Sequence, residues 1–89
     1  MKAIVTVVGK DRVGIIAAVC AKLAEFNVNV LDISQTVMQG YFTMMMAVEI
    51  SQCGIPVAEL AKQMEKAGQE MGLAIHLQRE DIFQAMHRV

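Results

Sequence analysis

Aromatic side chains, closely spaced cysteines and clustered charges are all scarce in this 89-residue sequence. It has no Trp, one Tyr and three Phe, whereas a sheet that binds RNA presents two or three aromatic rings on its open face. Cys20 and Cys53 are far apart, so the Cys-x-x-Cys of a metallochaperone or redox motif is missing. Two such thiols fit a reducing compartment. We therefore expect neither an RNA-binding sheet nor a bound metal or cofactor.

Charge and hydropathy also limit the partners. The net charge is −1 and the isoelectric point is about 6.0, which gives no electrostatic reason to approach nucleic acid or an anionic bilayer. No apolar run approaches the ~18 to 20 residues of a membrane span. Met1-Lys2 leads directly into a strand pattern without the apolar region of a secretion signal. The sequence predicts a cytoplasmic protein whose partners include neither nucleic acid nor membrane.

The apolar content is high for so small a chain. Hydrophobic residues make up 55% of it and the mean hydropathy is +0.43. A domain of this size buries only a little over ~60% of the surface that its unfolded chain exposes. The excess apolar surface therefore favours an interface with a second subunit, and we predict a homodimer or higher homo-oligomer.

The first third of the chain has the pattern of a strand followed by a helix. Residues 4–8 are β-branched and almost continuously apolar, which is typical of an interior strand. Over residues 14–26 the apolar positions recur at intervals of three and four: Ile16, Val19, Cys20, Leu23 and Phe26. Asp11 is predicted as the N-cap, because its carboxylate can accept bonds from the free N–H groups of the first turn.

The middle of the chain predicts a hairpin. Residues 30–38 and 41–50 are strand-like and flank Gln39-Gly40, a turn whose glycine tolerates positive φ. In the first of these strands Leu31, Ile33 and Val37 are expected on one face and Asp32, Ser34 and Thr36 on the other. In the second strand the alternation predicts one buried face: Phe42, Met44, Met46, Val48 and Ile50. This leaves Met45 pointing outward.

The last third predicts a second helix and a fourth strand. Pro56 is expected at the first helical position and Gly72 just past the end. Between them lies an apolar stripe: Val57, Leu60, Ala61, Met64, Ala67 and Met71. Residues 73–79 alternate as a half-buried strand does, which places His76 on the solvent face.

Two strand-helix-strand units joined by a hairpin predict an α+β fold, the ferredoxin-like βαββαβ sandwich. Its antiparallel sheet has four strands, and both helices pack on one face. The other face is uncovered, so a homodimer is expected through edge strands, helices or this open face. Residues 1–79 make up the predicted domain. Residues 80–89 form a predicted short C-terminal helix, which packs on its own subunit, across a dimer or on a client protein.

The turn over residues 9–14 is the candidate binding site. It follows a strand and opens a helix, so it aims N–H groups and the positive end of the helix at whatever lies in front of it. A carboxylate at Asp11 repels a phosphate but attracts an ammonium group. The combination suits a ligand that carries both charges.

The turn Asp11 to Ile16, and Asn27-Val28-Asn29-Val30 before the next strand, closely resemble the ACT domain, a small-molecule-binding regulatory module. The likeness extends over residues 2–79. It is greatest to the free-standing kind, similar to glycine-cleavage repressor-type regulators and to a group of short bacterial proteins whose typical tail resembles residues 80–88. The resemblance implies that an amino acid binds at this turn, near a homodimer interface. Asp11, Gly14 and Asn29 match ligand-site positions of the family.

The sequence departs from the family pattern at two positions of this turn. Val13 stands where many members have proline, and Asp11 stands where serine-binding members have asparagine. In physical terms the ligand carboxylate can lie on N–H groups near residues 13–16, and its ammonium can meet Asp11. Arg12 offers a different, bidentate grip on the carboxylate. The predicted ligand-binding residues are Asp11, Arg12, Val13, Gly14, Ile15 and Asn29.

Four of these residues also have a purely structural interpretation. Asp11 can cap the helix without contacting a ligand, and Gly14 can be needed solely for close packing of the helix on the sheet. Asn29 can satisfy backbone groups at a strand start, and Arg12 can be a solvated charge.

Enzymatic function is not expected. His76 and His87 have no neighbouring carboxylate and nucleophile in the sequence. An acylphosphatase on this fold uses an arginine and an asparagine, for which Arg12 and Asn29 are candidates, but Asp11 opposes the phosphate. The remaining alternative is a protein-interaction module that binds no ligand.

Overall fold

A computed structural model describes residues 1–81 and has the predicted α+β architecture. The elements are β1 Lys2–Lys10, α1 Ile15–Glu25, β2 Asn29–Met38, β3 Tyr41–Glu49, α2 Val57–Met71 and β4 Ala74–Arg79. The four strands form one antiparallel sheet in the order β2-β3-β1-β4. This is the ferredoxin-like topology, and the prediction that the first strand is interior is confirmed.

One core joins both helices to alternate residues of the strands. The register places Val5 opposite Met46 and Val7 opposite Met44, and all four are buried. The helices cover this face with Ile15, Val19, Leu23, Leu60 and Met64. On the opposite face the sheet is open within residues 1–81, where Val8 and Met45 are 47% and 44% exposed. The predicted alternation of the third strand is therefore confirmed.

The orientation of α1 differs from the prediction. Ile15, Val19 and Leu23 are its buried residues. Ile16 and Cys20 are only partly buried and pack at the margin of the core. The helix therefore presents one apolar flank towards β2 without covering that strand.

The hairpin between β2 and β3 turns at Gln39 and Gly40, both with positive φ. A bulge lies between Val30 and Asp32, and Leu31 has no partner across from it. Strict alternation is therefore interrupted between Val30 and Asp32 and holds from Asp32 onward. Ile33, Gln35 and Val37 share the helix side of the sheet, because they pair with Met46, Met44 and Phe42.

The ends of α2 follow from its terminal residues. Pro56 is the N-cap of α2, whereas the sequence predicts it as the first helical residue, one position further into the helix. Gly72 has φ 72°, and the Leu73 N–H bonds to the Gly68 carbonyl oxygen at 2.7 Å. The left-handed glycine thus ends the helix as predicted and turns the chain into β4. None of the helices within residues 1–81 is long and apolar enough to cross a membrane.

An ion pair stabilises the end of the sheet far from the β1–α1 turn. The Met1 ammonium bonds to Glu49 Oε1 at 2.7 Å. Hydrogen bonds from this ammonium and from Ser51 lower the pKa of Glu49 from 4.5 to about 2. Because the pKa of Glu49 is lowered in the folded protein, the ion pair stabilises the fold at pH values above the ordinary pKa of a carboxyl group. This stabilisation is lost as the pH falls towards 2. Of the predicted C-terminal helix, residues 82–89 lie outside the described residues.

Replacing Gly68 by Ala should destabilise the fold. An added Cβ would lie 2.8 Å from both the Leu73 carbonyl oxygen and Ile75 Cγ1. Overpacking of this kind costs about 1–3 kcal/mol, more than the gain of up to about 1 kcal/mol in helix propensity. We expect a lower urea midpoint for Gly68→Ala. Gly54→Ala is the control, because no described atom lies within 4 Å of its Cβ. Equal midpoints for the two variants would contradict the packing argument.

Candidate functional site

The β1–α1 turn starts its helix with a glycine. Gly14 is the N-cap in the left-handed conformation, with φ 91°, and no side chain of residues 1–81 caps the helix. The prediction that Asp11 is the N-cap is wrong, because the N-cap is Gly14, three residues after it. Gly14 also has open space around it in the described chain, so its role is backbone conformation, and the packing interpretation is not supported.

The helix N-terminus therefore keeps unused hydrogen-bond donors. The Ala18 N–H bonds to the Gly14 carbonyl oxygen at 2.9 Å, which makes it the first intrahelical bond. The N–H groups of Ile15, Ile16 and Ala17 precede it and receive no side-chain cap from the described residues. The first turn also contains no acidic residue. These donors and the helix dipole together favour a negative charge at this end.

A cavity of about 560 Å³ opens beside this helix end, between α1 and β2. We call it the α1–β2 cavity. Asp11, Arg12 and Gly14 lie at its mouth. Beyond the mouth, α1 contributes Ile15, Ile16, Ala17 and Cys20, and the sheet contributes Gln35, Val37 and Phe42. It exists because α1 does not cover β2, whose Val37 is 54% exposed.

Asp11 contributes a free carboxylate to the mouth of the cavity. Its backbone N–H bonds to the Gly40 carbonyl oxygen at 2.9 Å, which joins the turn to the tip of the β2–β3 hairpin. Its side chain is exposed, and no donor within residues 1–81 bonds to it. A negative carboxylate and a positive helix end thus lie at one opening, a pattern complementary to a zwitterion.

Arg12 is bonded within the fold. Its Nη2 donates to the Met71 carbonyl oxygen at 2.9 Å. Met71 is the last residue of α2, whose final turn has no basic residue of its own. A cation is favourable at a helix C-terminus, so Arg12 joins the turn to the end of α2. Arg12 is therefore not merely a solvated charge.

The structure separates Asn29 from the rest of the predicted site. Asn29 pairs with Glu49 at one end of the sheet, whereas the turn follows Lys10, which pairs with Tyr41 at the other end. At ~3.3 Å per residue, the nine steps from Asn29 to Met38 span about 30 Å. Within one chain Asn29 therefore does not reach the α1–β2 cavity. The Val13 side chain is 99% exposed and is not among the residues that line the cavity.

Several cavity residues were not predicted from the sequence. Cys20 was assigned to the core, and Ala17, Gln35, Val37 and Phe42 had no predicted role in a site. One signal was present: Gln35 interrupts an otherwise apolar strand face that includes Ile33 and Val37. Within residues 1–81, no three His, Cys, Asp or Glu side chains are grouped as a metal site requires.

Comparisons with known proteins agree with this architecture. The ACT domain family model matches residues 2–78. A UPF0237 protein of Listeria innocua is 52% identical over the full length of both chains. The structure of an ACT domain protein from Streptococcus pneumoniae is 47% identical, covers 98% of each chain and has a TM-score of 0.83. The regulatory subunit of aspartate kinase from Thermus thermophilus is 27% identical over 86% of this chain and 50% of that one, with a TM-score of 0.65. This chain belongs to the ACT domain family.

Proposed function

We propose that this ACT regulatory module binds a free amino acid in the α1–β2 cavity. The ligand carboxylate accepts hydrogen bonds from the N–H groups of Ile15, Ile16 and Ala17, and its ammonium group meets the Asp11 carboxylate. One observation carries the proposal: an uncapped helix N-terminus and an unpaired acid lie at the same opening.

The magnitudes favour a zwitterion over a simple anion. A helix N-terminus stabilises a negative charge by ~0.3 to 1 kcal/mol at a surface and by up to ~2 kcal/mol when partly buried. Hydrogen bonds to charged groups contribute ~1.5 to 3 kcal/mol each. A phosphate would gain the first contribution but would be repelled by Asp11, whereas an amino acid gains from both charges.

The proposal includes a homodimer joined through β2. Within residues 1–81, no strand pairs with the outer edge of β2, and an open edge of ten residues is a template for another strand. Antiparallel pairing about a two-fold axis at Ser34 brings Asn29 of one copy opposite Gln39 of the other, one residue past the end of its β2. Asn29 thereby approaches the cavity of its partner, which is how the residue that resembles a family ligand contact takes part in binding.

Enzymatic activity is not part of the proposal. An acylphosphatase needs its arginine and asparagine at one site, but Arg12 and Asn29 lie at opposite ends of the sheet within a chain. The module regulates by docking on a client protein, with its ligand as the signal. The rival function is a ligand-free interaction module, which the first experiment distinguishes.

Amino-acid binding should appear as thermal stabilisation. A ligand at 100 times its dissociation constant adds ~2.7 kcal/mol, and a domain of this size shifts by ~4–8 °C per kcal/mol. We expect one or more of the twenty amino acids to raise the melting temperature at millimolar concentration. Asp11→Asn should weaken the binding of that ligand at least about tenfold, as measured by calorimetry, because one ion pair is lost.

Asp32→Asn is the matched control for this experiment, since Asp32 is another exposed acid and lies outside the cavity. It should bind the ligand as the unmodified protein does. Neither variant should change the free energy of unfolding by more than about 0.5 kcal/mol, because no donor within residues 1–81 bonds to the Asp11 side chain and an asparagine oxygen at position 32 can still accept the Ile33 N–H bond. If no amino acid shifts the melting temperature, amino-acid binding is overturned and the ligand-free interaction module is favoured.

The place of binding can be tested with the two free cysteines. Cys20 lines the cavity and Cys53 does not, although both are half-buried. A saturating amino acid should slow the alkylation of Cys20 and leave Cys53 unchanged, as followed by mass spectrometry of peptides. Equal protection of both thiols would indicate a global effect on the fold, and protection of neither would place the ligand elsewhere.

The dimer has its own test. Ser34→Lys should place two ammonium groups directly opposite each other at the two-fold axis, which opposes strand pairing. We expect analytical ultracentrifugation to find twice the 9.8 kDa chain mass for the unmodified protein and a shift towards 9.8 kDa for this variant. Thr43→Lys, at an exposed position of the interior strand β3, should remain dimeric. A dimer that survives Ser34→Lys would exclude pairing at this axis.

A further inference from the structure

The α1–β2 cavity changes character beyond its mouth. On α1, Ile16 and Cys20 lie one turn apart and form an apolar wall. The sheet contributes Phe42, which is buried, and Val37. Among the described lining residues beyond the mouth, Gln35 is the one polar side chain and none is charged.

The dimensions of this apolar part exceed what an amino-acid backbone needs. From Ile15 to Cys20 the helix rises about 7.5 Å at 1.5 Å per residue. The volume of about 560 Å³ lies within the usual range for small-molecule sites. Glycine or serine bound at the mouth would leave Ile16, Cys20 and Val37 in contact with water.

We propose that the ligand is an amino acid with a large apolar side chain, of the size of leucine, methionine or phenylalanine. This inference rests on the proposed function, because it takes the carboxylate and ammonium positions from it. With the carboxylate at the N-terminus of α1, the side chain extends along the helix towards Cys20 and fills the space between α1 and Val37.

The expected selectivity follows from apolar burial. Each buried methylene contributes about 0.8 kcal/mol, or roughly fourfold in affinity. Leucine has three more carbons than alanine, so on the order of 50-fold tighter binding is expected. Lysine and aspartate should bind more weakly than leucine, because the wall offers no opposite charge to their side chains.

The first measurement is calorimetry of the unmodified protein with glycine, alanine, serine, glutamine, aspartate, lysine, leucine, methionine and phenylalanine. The expected result is that at least one of the last three binds at least about 20-fold tighter than glycine, serine and alanine. Binding of serine, glutamine or glycine with equal or greater affinity would overturn this inference and leave the proposed function standing. If none of the nine binds, this inference fails, and the proposed function fails as well if none of the twenty amino acids raises the melting temperature.

A pair of valine variants tests whether the cavity wall provides the selectivity. Val37 lines the cavity and is 54% exposed, whereas Val8 lies on the open face and is 47% exposed. Val37→Ser should weaken the binding of the large apolar amino acid by about five- to tenfold and change the affinity for alanine less than twofold. Val8→Ser should change neither. If Val37→Ser weakened the binding of the large amino acid and of alanine equally, or weakened neither, the inference would be overturned.

A filling variant gives an independent readout. Ala17 is exposed and lines the cavity from α1, and leucine is a good helix former, so Ala17→Leu should fold. Its added side chain occupies the space proposed for the ligand side chain. We expect at least tenfold weaker binding of leucine or methionine, with alanine changed less than threefold. Unchanged binding of the large amino acid would contradict the proposed position of its side chain.

Discussion

Gly14 begins α1 in the left-handed conformation, and the chemistry of the site depends on this backbone geometry. A serine or aspartate at the N-cap would satisfy one of the first-turn donors with its own oxygen. Glycine provides no such oxygen and leaves the N–H groups to other acceptors. The helix end is thereby available to the carboxylate of the proposed ligand, and the neighbouring Asp11 carries the opposite charge, which our proposal assigns to the ligand's ammonium group.

The turn over residues 9–14 contains no proline, and hydrogen bonds hold it in place. It is bonded on two sides: the Asp11 N–H to the Gly40 carbonyl oxygen and the Arg12 guanidinium to the Met71 carbonyl oxygen. The first bond reaches the β2–β3 hairpin and the second reaches the end of α2. The candidate site is thus attached to two distant parts of the chain, so a ligand that moves the turn would affect both the hairpin and α2.

Prediction from the sequence succeeded where one residue pattern has one physical interpretation. Alternation at Met44, Met45 and Met46 identified the inward and outward side chains, and Gly72 ended α2 where its φ is positive. Prediction failed where a residue type suits several roles. Asp11 has a strong N-cap preference, but the cap is decided by where the helix begins. Asn29 matches a family position by sequence, but about 30 Å of strand separates it from the turn in one chain, so its part in binding stays a prediction that depends on the proposed dimer.

The order of elements, the interior strand and most of the core follow from the sequence itself, because they depend on local periodicity and on the burial of apolar side chains. The α1–β2 cavity and the Arg12–Met71 contact depend on the tertiary structure. They arise from the rotation of α1 on the sheet and from the meeting of chain segments 59 residues apart, and no local pattern encodes either of these.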